Sequence, residues 1–209
     1  MRGHKNLGMR HGLREHRSLT ERQFARFAEL VEEDRMSKNN AAYAKFEGFE
    51  ERLAHCYFLL HERFIANPSL AKFWAEAAIE ELQHSSLLRF CRERGFTVDD
   101  DLEGKTAEHV EQLLDTVKSI VSDPEVTIDE AFYASLLMES SEIDEVYEKL
   151  TRSLAKDHRI LYDAIHANLR SHHDRFAEGA DEFCAETRFA EAFRALGKSE
   201  RRALDGRSF

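Results

Sequence analysis

Two prolines and nine glycines punctuate 209 residues, far too few turn formers for an all-β chain with its many hairpins. The chain therefore reads as nearly all helix. Apolar residues at 42% and charged residues at 33% are enough to close a core and coat its surface. No apolar run approaches the roughly 18 residues of a membrane-spanning helix. The first residues (Met1, Arg2, Gly3, His4, Lys5) are basic but lead into no apolar stretch, so no export signal is read and the cytoplasm is expected. Cys56, Cys91 and Cys184 have no Cys-x-x-Cys spacing, which argues against a disulfide framework, a zinc ribbon and a rubredoxin-type centre. They are expected reduced and buried.

The net charge of −10 is unevenly spread. Arg2, Lys5, Arg10, Arg14 and Arg17 against Glu15 give the first twenty residues +4 and leave −14 on the remainder. An acidic body argues against nucleic acid as the main ligand. Residues 1–20, with His4, His11 and His16, are expected as a solvated, disordered tail.

Capping and spacing signals divide the rest. Residues 21–36 form an amphipathic helix whose stripe of Phe24, Phe27, Leu30 and Val31 packs on the body. A four-helix bundle is expected over 38–178. Its first helix runs to about Ala66 and stops at Asn67-Pro68, and its second runs to about Arg94 and closes at Gly95. A long crossover, 96–127, holds one shorter helix near 107–122. Thr127 and Glu130 then make a capping box for a third helix to about Leu154. A tight turn at 155–157, with Asp157 as cap, starts a fourth helix that ends at Gly179. A last helix from 181 to about 196 and a tail complete 181–209. Two helical hairpins joined by a crossover have the ferritin-like connectivity.

Glu81 and His84 form a Glu-x-x-His pair, placing a carboxylate and an imidazole on adjacent turns of one helix face. With 27 glutamates and 11 histidines in the chain, one such pair arises by chance, so it carries weight only in company. The hairpin supplies the company. If the first helix turns back at Asn67, the residue level with Glu81 and His84 is Glu50 or Glu51, and Glu50 is chosen because it shares its face with Tyr57 two turns later. A shift of 89 residues carries Glu50 onto Glu139, Glu81 onto Arg170 and His84 onto His173, and the midpoint of the second set falls at Lys156, inside the expected turn. Glu142 lies one turn from Glu139.

These residues resemble the rubrerythrin branch of the ferritin-like di-iron carboxylate proteins. The resemblance covers about residues 40–178 and implies metal ligands at Glu50, Glu81, His84, Glu139, Glu142 and His173, with Tyr57 beside them. Arg170 departs from the pattern, standing where a second Glu-x-x-His would have its glutamate. With Arg170 adding +1, one metal ion is as well balanced as two, and its guanidinium could itself fork onto the carboxylates. His166 is the substitute ligand, two turns before His173. Asp163 with His166 ranks below His173 because it sits off the level of Glu139. Tyr57 and Trp74 read otherwise as core packers. His55, His61 and His172 read as surface or capped histidines.

Two functions follow. The resemblance implies an oxidoreductase holding one or two iron ions, with manganese or zinc as other fillings, which reduces peroxide or oxygen or oxidises iron. It also implies an unidentified electron donor and a homodimer. The other reading is a non-catalytic helical bundle, a binding or assembly module in which Arg170 is the internal counter-ion. No nucleophile triad and no Gly-rich phosphate loop is present.

Overall fold

A computed structural model describes residues 11–96, 105–141, 154 and 158–205. They form six helices: α1 His11–Arg63, α2 Pro68–Glu93, α3 Lys105–Val121, α4 Ile128–Glu139, α5 Arg159–Phe183 and α6 Arg188–Asp205. No strand occurs among the described residues, and none of these helices is long and apolar enough to cross a membrane.

α1 is a single helix of 53 residues where two were expected, and it begins inside the stretch read as a tail. Neither glycine nor proline stands between Gly12 and Gly48, and Ser37, Asn39 and Asn40 each cost only about 0.5 kcal/mol in a helix interior. Nothing there is strong enough to stop the helix. α1 ends at Arg63, three residues before Ala66, and the chain turns through Phe64–Asn67. Asn67 accepts a hydrogen bond from the Leu70 N–H (3.3 Å) and Pro68 opens α2, a position where its missing donor costs nothing. Gly95 closes α2 in the left-handed region with φ +70°, and the Phe96 N–H reaches back to the Cys91 carbonyl at 3.1 Å.

The capping box at Thr127 is present in both directions. Thr127 Oγ1 accepts from the Glu130 N–H at 3.2 Å, and Glu130 Oε2 accepts from the Thr127 N–H at 2.9 Å. α4 then runs only 12 residues and closes at Ser140. The helix was expected to run on to about Leu154, but Ser140 and Ser141 leave it; the rest of that continuation, the tight turn and the cap at Asp157 fall outside the described residues, apart from Leu154. Two further boundaries differ. α5 passes through Gly179 to Phe183, and α6 spans Arg188–Asp205, running through Gly197.

α1 and α2 pack as a hairpin, α3 lies on α1 and α4, and α5 pairs with α6 while touching α2 and α4. The core between them is aromatic. Tyr57, Trp74, Phe132, Phe176 and Phe193 are fully buried, with Trp74 and Phe132 ring centroids 5.0 Å apart and Phe176 and Phe193 at 5.1 Å. A Cβ on Gly179 would run into the Phe73 ring, so the glycine that read as a helix end is the point where α5 closes on α2. Cys56 and Cys91 are buried as expected, Cys184 is half-buried, and all three are free.

Candidate metal centre

The buried stripes of four helices contain charge. α1 buries Glu50 between Phe46 and Leu53, and α2 buries Glu81 and His84 in the row that continues Phe73, Trp74 and Ala77. α4 delivers Glu139 on its last turn, after Phe132 and Ser135. α5 buries His166, His172 and His173 among Ile165, Leu169 and Phe176. Helical period alone places these groups, since each sits three, four or seven residues from an apolar neighbour that must face the core. Charges so placed cost several kcal/mol each unless they are paired or bind a cation.

They converge in two groups of three that could hold a metal ion, their ligand atoms within 4.8 Å of one another: Glu50, Glu81 and His84, and Glu81, Glu139 and His172. Glu81 belongs to both. Its Oε2 is 2.9 Å from His84 Nδ1 and its Oε1 is 3.4 Å from His172 Nε2, so each oxygen faces a different histidine. Glu139 Oε1 accepts from Tyr57 Oη at 3.1 Å and lies 3.0 Å from His172 Nε2, while its Oε2 is 3.4 Å from His173 Nε2.

His172 has acceptors at both ring nitrogens, because Nδ1 is 2.6 Å from Glu80 Oε2. Without a metal, both nitrogens must carry hydrogen. Burial disfavours that charge, yet the nearby Glu139 and Glu81 carboxylates and the bonds to Glu139 and Glu80 hold the imidazole charged well above its ordinary range. For Glu139 burial pushes upward, and the charge and hydrogen bonds of His172, with those of His173, overcome it and hold the carboxyl well below its usual range. Tyr57 is pushed well above the phenol range by burial and by Glu139 and Glu81, so it stays a donor.

The donor set fits a divalent cation. It consists of carboxylate oxygens and imidazole nitrogens, the ligands that iron, manganese and zinc accept. Three buried carboxylates, Glu50, Glu81 and Glu139, lie in the two groups, with the charged His172 beside Glu81 and Glu139. Glu81 Oε1 is buried with no hydrogen-bond partner among the described residues, which leaves a lone pair for an ion. Fixing hydrogen bonds stand behind both histidines: Glu80 for His172, and Asn168 Oδ1 at 2.9 Å from His84 Nε2.

Of the residues chosen from sequence, Glu50, Glu81, His84 and Glu139 come together, and Tyr57 bonds to one of them. His173 touches Glu139, its Nε2 3.4 Å from Glu139 Oε2, and the adjacent His172 joins the site beside it. Glu142 lies outside the described residues. His166 is buried against Tyr162, ring centroids 4.3 Å apart, and belongs to neither group. Asp163 pairs with Arg159 at 2.8 Å. Arg170 is half-buried, and among the described residues the side chains paired with Glu81 and Glu139 are imidazoles, so the charged His172 stands where Arg170 was expected as counter-ion. His172, expected at the surface or capped with His55 and His61, is buried; His55 is exposed, and His61 Nδ1 lies 2.8 Å from the Ala71 carbonyl. The signal for His172 was its place in the apolar row Ile165, Leu169, Phe176 and Ala180. Glu80, Arg175 and Asn168 gave no signal of their own. Comparison of the chain with models of known families, with curated proteins and with solved structures finds no match to any of them.

Proposed function

We propose that the chain is a ferritin-like metal protein of rubrerythrin type, an iron-dependent oxidoreductase that reduces peroxide or oxygen or oxidises Fe(II). The observation that carries this reading is Glu81, one oxygen turned to each of two carboxylate–histidine groups, as a carboxylate shared by two metal positions must be. Glu50 and His84 would complete the first position, Glu139 and His172 the second, with His173 beside Glu139. Iron held there would supply electrons to the oxidant. The protein's own part is to hold the carboxylates apart at fixed distance, to exclude water with the Tyr57, Trp74 and Phe176 rings, and to keep a phenolic hydrogen on Glu139. The oxidant, the electron donor, a homodimer and a cytoplasmic setting belong to this proposal.

The test is metal content. Glu81→Ala with His84→Ala should leave a helical protein that retains no iron after anaerobic Fe(II) loading and desalting. Iron content equal to that of the parent would sink the assignment.

One observation favours a second reading, a binding or assembly module. Glu80, Glu81 and Glu139 all converge on His172, so the imidazolium partly balances the site without metal. That module would melt at the same temperature before and after chelation, whereas a bound metal raises the melting point by mass action.

A further inference from the structure

The two histidines of the site present opposite ring nitrogens to it. His84 turns Nδ1 to Glu81 Oε2 (2.9 Å) and Nε2 outward to Asn168 Oδ1 (2.9 Å). His172 turns Nε2 to Glu139 Oε1 (3.0 Å) and Glu81 Oε1 (3.4 Å), and Nδ1 outward to Glu80 Oε2 (2.6 Å). We infer that a metal in this site is bound by His84 through Nδ1 and by His172 through Nε2, and that Glu80, anchored by Arg175, is the positioning residue that imposes the second arrangement. The inference rests on the metal reading above.

Glu80 uses both carboxylate oxygens. Oε2 takes His172, and Oε1 is 2.6 Å from Arg175 Nη1. Arg175 is committed to this contact. Its guanidinium lies over the Phe73 and Phe176 rings, 5.8 Å from each centroid, and its Nε and Nη2 find no acceptor among the described residues. A cation already stands on the Nδ1 side of His172, so a metal is repelled there. On the Nε2 side stand two carboxylates. A ligand imidazole whose far N–H is held by a carboxylate is fixed in tautomer and ring orientation and is a stronger donor, and removing such a partner costs about 10–100-fold in metal affinity. His84 has a neutral amide in the corresponding place, so Glu80 acts at one metal position only.

Zinc is the probe, because it is diamagnetic. Protein with 15N-labelled histidine is loaded with two equivalents of Zn(II), and long-range proton–nitrogen correlation spectra are recorded. The expected result is one metal-bound histidine with hydrogen on Nε2, lost in His84→Gln, and one with hydrogen on Nδ1, lost in His172→Gln. Competition with a chromophoric chelator then follows the two zinc equivalents separately. Glu80→Gln should weaken one of them about 10–100-fold and leave the other and the His84 signals in place, while Arg175→Lys should stay near the parent. Two histidines both bound through Nδ1, or a Glu80→Gln variant that weakens both equivalents alike, would overturn the inference and leave the metal reading standing. No zinc uptake by the parent would overturn both.

Discussion

Glu81 can be separated from its neighbours by substitution, because among the described residues it alone is common to both groups. Glu81→Ala is expected to remove both metal equivalents, while Glu50→Ala and His172→Ala each remove one, as read by elemental analysis after loading and desalting. Arg170→Glu, which would restore the expected second Glu-x-x-His, should leave metal content unchanged, since His172 and not Arg170 pairs with the carboxylates; a gain of metal would show that Arg170 had replaced a ligand. The Glu81–His84 pair was legible because its three-residue spacing is local to one helix. His172 was not, because the shift of 89 residues points to one position on the helix, which His173 occupies, while the adjacent His172 is buried as well. Glu80 and Arg175 were illegible for another reason: their role exists only where α2 and α5 meet.

The helices carry these side chains to the site with little margin. α4 is 12 residues long and bears Glu139 on its last turn, so its start is fixed by the Thr127–Glu130 box. Thr127→Ala should cost about 1 kcal/mol, seen as a lower denaturation midpoint. At Gly179 two effects oppose each other. Alanine would gain up to about 1 kcal/mol of helix propensity, but its Cβ would meet the Phe73 ring, which is packed against Trp74, Phe132 and Phe176. Overpacking of this kind costs about 1–3 kcal/mol, so Gly179→Ala is expected to lower the midpoint. Caps such as Asn67-Pro68, Gly95 and Thr127 were readable because capping chemistry is local. The continuity of α1 and the passage of α5 through Gly179 were not, because a weak helix former is overridden by packing with partners far along the chain.

If the site binds metal as proposed, metal and pH together govern the stability of the molecule. Without metal, the raised His172 contributes stability that is full below its ordinary value of 6.5 and is lost as pH rises through its folded value. The depressed Glu139 contributes stability present above its ordinary 4.5 and lost as pH falls through its folded value. Both contribute between these two values. A metal needs Nε2 of His172 without its proton, so the rise in melting temperature on Zn(II) loading should grow from pH 6 to pH 8.5. A rise that is flat or shrinks would remove His172 from the ligand set. The all-helical class was legible from composition, whereas the proposed function rests on the site. The direct test is elemental analysis of untagged protein after anaerobic Fe(II) loading and desalting, with Glu81→Ala treated alongside. A site that shares Glu81 predicts about two irons per chain in the parent and none in the variant; no iron in the parent, or equal iron in both, would contradict it.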